Sequence, residues 1–335
     1  MTHRIFGAEM SPYSVKVRSY FRYKGIPHQW IERSQAQLEE FQKYAKLPLV
    51  PLVVMPDDSA IQDSTPIIET LEALHPEPSI HPSDPTLAFL AALIEEFGDE
   101  WGNKWMFHYR WAAEADQWSA GRRLAKGMLP DATDEAIEGV AGGIVKRMTG
   151  RVWFVGSSPE TAPIIAASYA EGLAQLDAHL SGRAYLFGGR PSFADFGLWG
   201  QVYNAWTDPT AGAIVRESAP AVCAWIERML DPKPEGAGAW EDAAALLPTL
   251  EPFLAAQVGA LFLPWSDANA KALESGAEEF TTQLGKRGDI SWTQKPQKYH
   301  ARSLKAIRAK YAQAAGNADL NALLERTGCR RWLVS

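Results

Sequence analysis

A short segment near the N-terminus holds the residues best placed for chemistry. Arg4–Ala8 is strand-like, and the chain then turns through Ser11 and Pro12 into a helix. Serine is a favoured N-cap, and proline suits the first helical position because the N–H that it lacks would have no partner there. A helix N-terminus carries partial positive charge and free N–H groups, so it stabilises an anion such as a thiolate. Because Ser11 and Ser14 stand where a pair of cysteines would be needed, dithiol redox chemistry is excluded.

Two further segments could hold a ligand. Leu49–Met55 is typical of a strand, but Pro51 interrupts it, and proline is tolerated in a sheet only at an edge or at a special peptide. Ala60–Asp63 is typical of a short strand, and Ser64 opens the next helix as a hydroxyl cap. With a strand at 29–33 and a helix at 35–44, the predicted order is strand, helix, strand, helix, two strands, helix.

These motifs resemble the glutathione transferase superfamily. The resemblance rests on Ser-Pro-Tyr at the first helix, Val-Pro before the third strand and Asp-Ser-Thr opening the third helix. A downstream segment at 187–195, FGGRPSFAD, is similar to the helical-domain motif of that family, and it contains a predicted capping box of Ser192 and Asp195. The resemblance implies an α/β thioredoxin-like N-terminal domain that binds glutathione and an all-α C-terminal domain that supplies the second substrate pocket. It ends near residue 230, so the remaining chain is an extra, mostly helical C-terminal extension.

Proline-rich segments divide the chain. Residues 76–85 include four prolines and predict an interdomain linker, and a second such segment lies at 231–238. We therefore expect three domains: a thioredoxin-like glutathione-binding domain at 1–78, an all-helical substrate-pocket domain at 86–230, and the C-terminal extension at 239–335. The extension pattern predicts helices at 249–262 and 267–275, a hairpin of 280–284 with 290–294, and a basic helix at 297–315.

Composition and charge narrow the class of protein. The chain has 335 residues, 46% of them hydrophobic, and we find no apolar run of transmembrane length and no signal pattern, so we expect a cytoplasmic protein with no membrane partner. Cys223, Cys329 and the seven histidines lack ligand spacing, so we expect no metal. The net charge is −7, yet residues 286–335 are basic. We expect this basic segment to pack on the acidic remainder of the chain and not on nucleic acid, because Tyr299, Leu304, Ile307 and Tyr311 are predicted to form a buried helix face.

The resemblance gives Ser11 a catalytic role. Its hydroxyl would donate a hydrogen bond to the glutathione sulfur, and a hydrogen bond to the charged form lowers a pKa. At a helix N-terminus the pKa of a cysteine thiol falls from ~8.5 to about 3.5–7.5. The alternative is that Ser11 is a plain helix cap, and Tyr13 and Ser14 are competing donors.

The same resemblance assigns glutathione-binding residues. If the Val50–Pro51 bond is cis, the Val50 N–H and C=O face the cysteinyl backbone of glutathione. The Asp63 carboxylate would take the γ-glutamyl ammonium, while Ser64 and its helix N-terminus would take the α-carboxylate. Many family members have a lysine just before Val-Pro. Here that position is Leu49, which leaves the glycyl carboxylate without an obvious cation.

An aromatic helix is the candidate wall of the second pocket. Trp101 and Trp105 share a face at four-residue spacing, His108 and Tyr109 continue it, and Tyr13 would meet it from the first helix. Such a wall beside a thiolate suits a bulky apolar or aromatic electrophile. The alternative is that these rings belong to the core or to dimer contacts.

Two functions follow from these residues. The first is a glutathione transferase-like enzyme, with glutathione as co-substrate and a small hydrophobic or aromatic electrophile as its partner, acting as the homodimer that the family implies. Some relatives that cleave aryl ethers also carry Ser-Pro-Tyr at the first helix, which points to aromatic substrates. The second is a non-catalytic binding or scaffolding protein with the same fold, motivated by Leu49 and by the C-terminal extension.

Overall fold

The protein is represented by a computed structural model that describes residues 2–234 and 238–334. Residues 235–237, which belong to the predicted second linker, lie outside the described residues, as do Met1 and Ser335.

A four-stranded mixed sheet lies in the N-terminal part. Its strands are β1 (His3–Gly7), β2 (His28–Glu32), β3 (Leu52–Val54) and β4 (Ala60–Gln62), in the order β2-β1-β3-β4. β1 pairs in parallel with β2, whereas β3 runs antiparallel to both β1 and β4. The helices of this part are α1 (Pro12–Tyr23), α2 (Leu38–Tyr44, which follows a 3-10 turn at Gln35–Gln37) and α3 (Ser64–Leu74).

Alternation along the strands gives this sheet two apolar faces. Ile5 and Val53 belong to the main core, whereas Phe6 packs edge-on against Phe41 of α2 on the opposite side. Successive side chains of a strand point to opposite faces, so one strand can serve both layers. The predicted α/β fold class of the N-terminal part is confirmed.

A helical part follows the sheet. Its helices are α4 (Pro85–Phe97), α5 (Asn103–Ala112), α6 (Glu114–Met128), α7 (Asp134–Thr149), α8 (Ala162–Leu180), α9 (Phe193–Trp206), α10 (Pro209–Ser218) and α11 (Pro220–Leu230), with a 3-10 turn at Val152–Val155. A π-helical turn, Gly98–Gly102, joins α4 to α5. This turn crosses α9 at a backbone contact, because a Cβ on Gly98 would lie 2.8 Å from the Cα of Leu198. Only glycine allows so close a crossing.

The predicted capping box at the start of α9 is present. Asp195 Oδ2 accepts hydrogen bonds from the N–H and the hydroxyl of Ser192, each at 2.8 Å. Its other oxygen accepts from the Leu186 N–H at 2.8 Å and from the Trp225 indole at 3.0 Å. Burial raises the pKa of Asp195 to about 6, although all four hydrogen bonds favour the carboxylate. The pair is structural, as predicted.

The C-terminal extension is mostly helical. It contains α12 (Ala243–Phe253), a π-helical segment (Leu254–Phe262), α13 (Leu263–Ser275), β5 (Phe280–Leu284), β6 (Ile290–Gln294), α14 (Lys298–Ala314), α15 (Ala318–Arg326) and α16 (Arg330–Leu333). The predicted hairpin and basic helix are confirmed. The prediction of two separate helices at 249–262 and 267–275 is wrong, because the chain stays helical from Ala243 to Ser275 despite its internal prolines.

That continuous helical run corrects one expectation. Ala243–Ser275 is 33 residues long, and the mean hydropathy of its most apolar window is 1.5. By length and composition alone, this helix could cross a membrane. The expectation that no stretch reaches this length and composition is therefore wrong. However, 67% of the window is buried inside the molecule, as in a core helix.

The extension shares its core with the helical part. The indole ring of Trp101 packs against those of Trp265 and Trp292, at centroid distances of 5.8 and 5.3 Å. The basic helix α14 pairs with acidic side chains of its own chain: Lys310 Nζ lies 3.0 Å from Glu69, and Arg308 lies 2.7 Å from Asp267. Basic residues of the extension thus pack on acidic ones, as expected.

Candidate functional site

Two adjoining cavities lie where α1 begins. The smaller, of about 260 Å³, is called here the pocket and is lined by Tyr13, Leu47, Leu49, Val50, Pro51, Gln62, Asp63, Ser64 and Tyr299. The larger, of about 530 Å³, is called the cleft, and Ser11 and Pro12 line it. Tyr13, Leu49 and Val50 line both, so a ligand could extend from one cavity into the other.

Ser11 is the N-cap of α1. Its backbone is extended, with φ −102° and ψ 112°, and its Oγ accepts a hydrogen bond from the Ser14 N–H at 3.3 Å. Capping uses the hydroxyl as an acceptor, so its own proton is left to be donated into the cleft. The Ser14 side chain is buried and lines neither cavity.

Tyr13 is tied to the main chain by its hydroxyl. The O–H donates to the carbonyl of Asp99, in the π-helical turn, at 2.9 Å. Burial raises the pKa of Tyr13, so the group stays protonated. The ring therefore forms the wall between the two cavities, while the hydroxyl is already used elsewhere.

The loop before β3 is shaped by one side chain that the sequence did not single out. The Val50–Pro51 peptide is cis, as the resemblance implied. The Gln62 amide donates to the carbonyls of Leu47 and Leu49 at 2.8 and 2.9 Å, and its oxygen accepts from the Leu47 N–H at 3.1 Å. Gln62 thus holds the loop that forms one side of the pocket.

Asp63 and Ser64 stand at the start of α3. Asp63 occupies the N-cap position and has φ 82° and ψ 132°, a backbone region that residues other than glycine rarely adopt. Its carboxylate does not cap the helix but accepts a hydrogen bond from the Tyr299 hydroxyl at 2.7 Å. The interpretation of Ser64 as the hydroxyl cap is wrong, because Ser64 is the first helical residue. Its Oγ instead lies 3.4 Å from both Lys16 Nζ and Asp99 Oδ2.

A buried charge network lies behind Ser64. Lys16 Nζ lies 2.5 Å from Glu95 Oε1 and 2.7 Å from Asp99 Oδ2, and the lysine side chain is fully enclosed. Burial alone would lower the pKa of Lys16, but the two carboxylates raise it. Burial raises the pKa of Asp99 to about 7 in spite of the nearby ammonium. The network anchors α1 to α4 directly under the pocket.

The cleft combines apolar walls with arginines. Its apolar lining includes Met10, Met106, Phe107, Trp111, Leu124, Met148, Phe154 and Val155. Arg110 is committed to structure, since it donates to Asp208 at 2.8 Å and to Asn204 Oδ1 at 2.9 Å. The guanidinium carbon of Arg33 lies 4.7 Å from the ring centroid of Phe41. Burial lowers the pKa of Arg33. Sequence reasoning missed Arg33, although its place directly after β2 put it at the same sheet edge as α1.

The predicted aromatic wall lies elsewhere. Trp101 and Trp105 are in the core, and both indole N–H groups donate to Ser168 Oγ, at 2.9 and 2.8 Å. Tyr109 packs on another ring at a centroid distance of 5.0 Å, and His108 Nδ1 lies 2.8 Å from a serine hydroxyl. None of the four lines either cavity.

The predicted face is present, but it packs into the core. Trp101 and Trp105 share it, since both bind the hydroxyl of Ser168, and the alternative that these two rings belong to the core is confirmed. Helical spacing groups residues on one face but does not show what that face contacts. The residues of α5 that line the cleft are Asn103, Met106, Phe107, Arg110 and Trp111.

Family models match two parts of the chain. The glutathione S-transferase N-terminal domain matches residues 5–79, and the glutathione S-transferase C-terminal domain matches residues 131–228. Together they span just over half of the sequence. No curated protein shows significant sequence similarity to the chain.

Several solved structures resemble about two thirds of the chain. The beta-etherase LigF from Sphingobium sp. strain SYK-6 has 22% identity and a TM-score of 0.48, with 68% of this chain and 95% of that one covered. A glutathione S-transferase from Methylobacterium radiotolerans, in complex with glutathione sulfonate, has 18% identity and a TM-score of 0.41, covering 72% and 97%. A glutathione S-transferase from Methylobacillus flagellatus with glutathione bound has 17% identity and a TM-score of 0.42, covering 68% and 95%.

Proposed function

Because the chain belongs to the glutathione transferase superfamily, we propose that it binds glutathione in the pocket and activates its thiol for attack on a small hydrophobic or aromatic electrophile in the cleft. The observation that carries the proposal is the adjacency of the two cavities. Val50, Asp63 and Ser64 line the pocket, and Ser11 lines the cleft that shares Tyr13 with it. A thiol held between them lies beside both the helix N-terminus and an apolar wall.

Each end of glutathione has a partner in this proposal. Asp63 takes the γ-glutamyl ammonium, and the N-terminus of α3 at Ser64 takes the α-carboxylate. The main chain of Val50 pairs with the cysteinyl backbone. Arg33, which lines the cleft as Leu49 does, supplies the cation for the glycyl carboxylate that Leu49 cannot.

Ser11 and α1 act on the sulfur. The thiol loses its proton to solvent, and the Ser11 hydroxyl and the helix N-terminus stabilise the thiolate that remains. The sulfur lone pair then forms a bond to the electrophilic atom, and the electron pair of the broken bond goes to the leaving group or to the neighbouring atom. The cleft contributes orientation, since Phe107 and Trp111 hold an apolar substrate beside the sulfur.

A non-catalytic binding or scaffolding role is the second candidate. It is favoured by Leu49, which is 61% exposed and stands at the position where a cation would strengthen glutathione binding. The two candidates differ in turnover. An enzyme makes glutathione react with a model aromatic electrophile faster than the two react in solution without the protein. A scaffold leaves that rate unchanged.

The test is calorimetry of glutathione with the full chain, followed by titration of the thiolate absorbance of the bound ligand. We expect micromolar-to-millimolar binding and a thiol pKa below that of free glutathione. Asp63→Asn should weaken binding, because it removes the charge opposite the ammonium. A folded protein that neither binds glutathione nor lowers its thiol pKa contradicts the proposed function.

We also propose a homodimer that acts in the cytoplasm, without metal, membrane or nucleic-acid partners. The family implies the dimer, and the free thiols of Cys223 and Cys329 suit a reducing compartment. Light scattering after size-exclusion chromatography tests the dimer: a mass near 36.9 kDa instead of twice that value contradicts it.

A further inference from the structure

One residue of the C-terminal extension belongs to the pocket. Tyr299, in the first turn of α14, lines the pocket, and its hydroxyl donates to Asp63 Oδ2 at 2.7 Å. The two residues are 236 positions apart in sequence. The family models end at residue 228, so this contact comes from a part of the chain that they do not include.

The position of Tyr299 is fixed by the residues just before it. Asn269 is fully buried, and its side chain binds the main chain of Gln297 twice. Asn269 Nδ2 donates to the Gln297 carbonyl at 2.9 Å, and Asn269 Oδ1 accepts from the Gln297 N–H at 2.7 Å. This paired contact fixes Gln297, the N-cap of α14, two residues before Tyr299.

The rest of α14 is held against the body of the protein. Leu304, Ile307 and Tyr311 are buried as predicted, whereas the prediction that Tyr299 is buried with them is wrong, since it is 50% exposed. The ring of Tyr311 packs on that of Phe89 in α4 at a centroid distance of 5.7 Å. Lys310 Nζ lies 3.0 Å from Glu69 in α3, the same helix that begins at the pocket. The ring of Tyr299 is therefore placed by packing along the whole helix.

Asp63 has the features of a ligand clamp. Its φ of 82° is strained for a residue that is not glycine, and such strain concentrates where a ligand is held. The Tyr299 hydroxyl donates a hydrogen bond to Oδ2 of Asp63 only. Among the described residues, Oδ1 accepts no hydrogen bond, so one carboxylate oxygen is still open in the pocket.

We propose that Tyr299 is a positioning residue that holds the Asp63 carboxylate for the ligand's ammonium, so that the pocket selects thiol peptides with a free α-ammonium group. The hydroxyl fixes Oδ2 and leaves Oδ1 to accept from the ammonium. The Tyr299 ring closes the pocket at the same end. This inference rests on the proposed function, since it deepens the assignment of Asp63 to the γ-glutamyl ammonium.

The test compares two ligands on the full chain. Glutathione carries the α-ammonium, whereas glutaryl-cysteinylglycine keeps both carboxylates and the thiol but lacks it. We expect the wild type to bind glutathione more tightly than this analogue. Tyr299→Phe, which keeps the ring, should weaken glutathione binding about tenfold and leave the analogue unchanged, because a hydrogen bond to a charged group is lost.

Two further variants separate positioning from stability. Tyr311→Phe is a matched control, because it removes a tyrosine hydroxyl from the same helix, where that hydroxyl donates to Asn321 at 2.6 Å far from Asp63. It should change neither affinity. In an Asp63→Asn background, Tyr299→Phe should have no further effect on glutathione, since its partner carboxylate is gone.

The outcomes distinguish this inference from the proposed function. Tighter glutathione binding by Tyr299→Phe means that Tyr299 competes with the ligand for Asp63, which overturns the positioning role. Equal loss for both ligands means that the residue only shapes the pocket, which also overturns it. If the wild type binds glutathione and Tyr299→Phe changes nothing, the inference fails alone. If the folded wild type binds neither ligand, the proposed function fails and takes the inference with it.

Discussion

The ammonium of Lys16 lies 2.5 Å from the carboxylate of Glu95, and each side chain is 1% exposed. The pair joins α1, which begins at the cleft, to α4, and Asp99 completes it at 2.7 Å. A lysine on an amphipathic helix is ordinarily a surface residue, so its burial here marks a fixed charge network beneath the pocket.

We predict that Lys16→Met strongly destabilises the protein. Removing one partner leaves Glu95 and Asp99 buried without a cation, and breaking a buried pair in this way costs about 3–5 kcal/mol. Urea unfolding measures the loss. Arg122→Met is the control, because its pair with Glu138 is exposed and should contribute little. Equal losses in the two variants would contradict a special role for Lys16.

We predict that Ser11→Ala raises the thiol pKa of bound glutathione and costs about 1 kcal/mol of stability through the lost cap. Ser14→Ala is the comparison variant and should leave the pKa unchanged, because the Ser14 hydroxyl is buried away from both cavities. The thiolate absorbance is titrated in each complex. An unchanged titration in Ser11→Ala would assign thiolate stabilisation to the α1 backbone N–H groups.

We predict that Arg33→Gln weakens glutathione binding about tenfold, as expected for a lost charge-assisted hydrogen bond. Leu49→Lys should restore affinity in the Arg33→Gln background, because it returns a cation to the place where many family members have one. Calorimetry measures both. An unchanged affinity in Arg33→Gln would contradict the role of Arg33 and move the glycyl carboxylate to another part of the cleft.

We predict that His179 makes the protein less stable on acidification between pH 6.5 and about pH 4, relative to a variant that lacks the imidazole. Burial lowers the pKa of His179 to about 4, and its ring nitrogens lie 2.8 Å from Thr249 Oγ1 and 2.7 Å from the Leu186 carbonyl. The unfolded chain takes up the proton first, so the contribution of His179 to the free energy of unfolding falls as the pH drops, by up to about 3 kcal/mol.

The check on this pH dependence is urea unfolding at pH 7, 5.5 and 4.5. The stability of the wild type relative to His179→Gln should fall across this window, because Asp99, Asp195 and His300, whose pKa values burial also shifts, titrate in both proteins and cancel in the comparison. The stability of the wild type relative to His75→Gln, a change at an exposed position, should stay constant. A constant difference between the wild type and His179→Gln would contradict the role of His179.

Local signals in the sequence were enough for much of the fold. The cap at Ser11, the capping box of Ser192 and Asp195, and the hairpin around the turn at 285–289 each depend on residues within a few positions of one another. Secondary-structure propensity and the alternation of apolar and polar residues also depend on residues a few positions apart. These elements could therefore be predicted from the sequence alone.

The parts that could not be predicted depend on distant or irregular features. Nothing local to Asp63 indicates that a tyrosine from the extension will reach its carboxylate. Helix periodicity places Trp101 and Trp105 on one face, but it does not show that this face packs into the core and not against the cleft. Arg33 and Gln62 were missed because their roles come from the shape of neighbouring loops and not from a motif.

The packing of Trp101 on Trp265 and Trp292 bears on how the chain melts. A linker in the sequence suggests a module that can come apart by itself, but an aromatic core shared across that linker couples the stability of the two sides. The extension and the helical part should therefore lose structure in a single cooperative transition. A linker that is evident in the sequence therefore need not mark the boundary between two independently unfolding units.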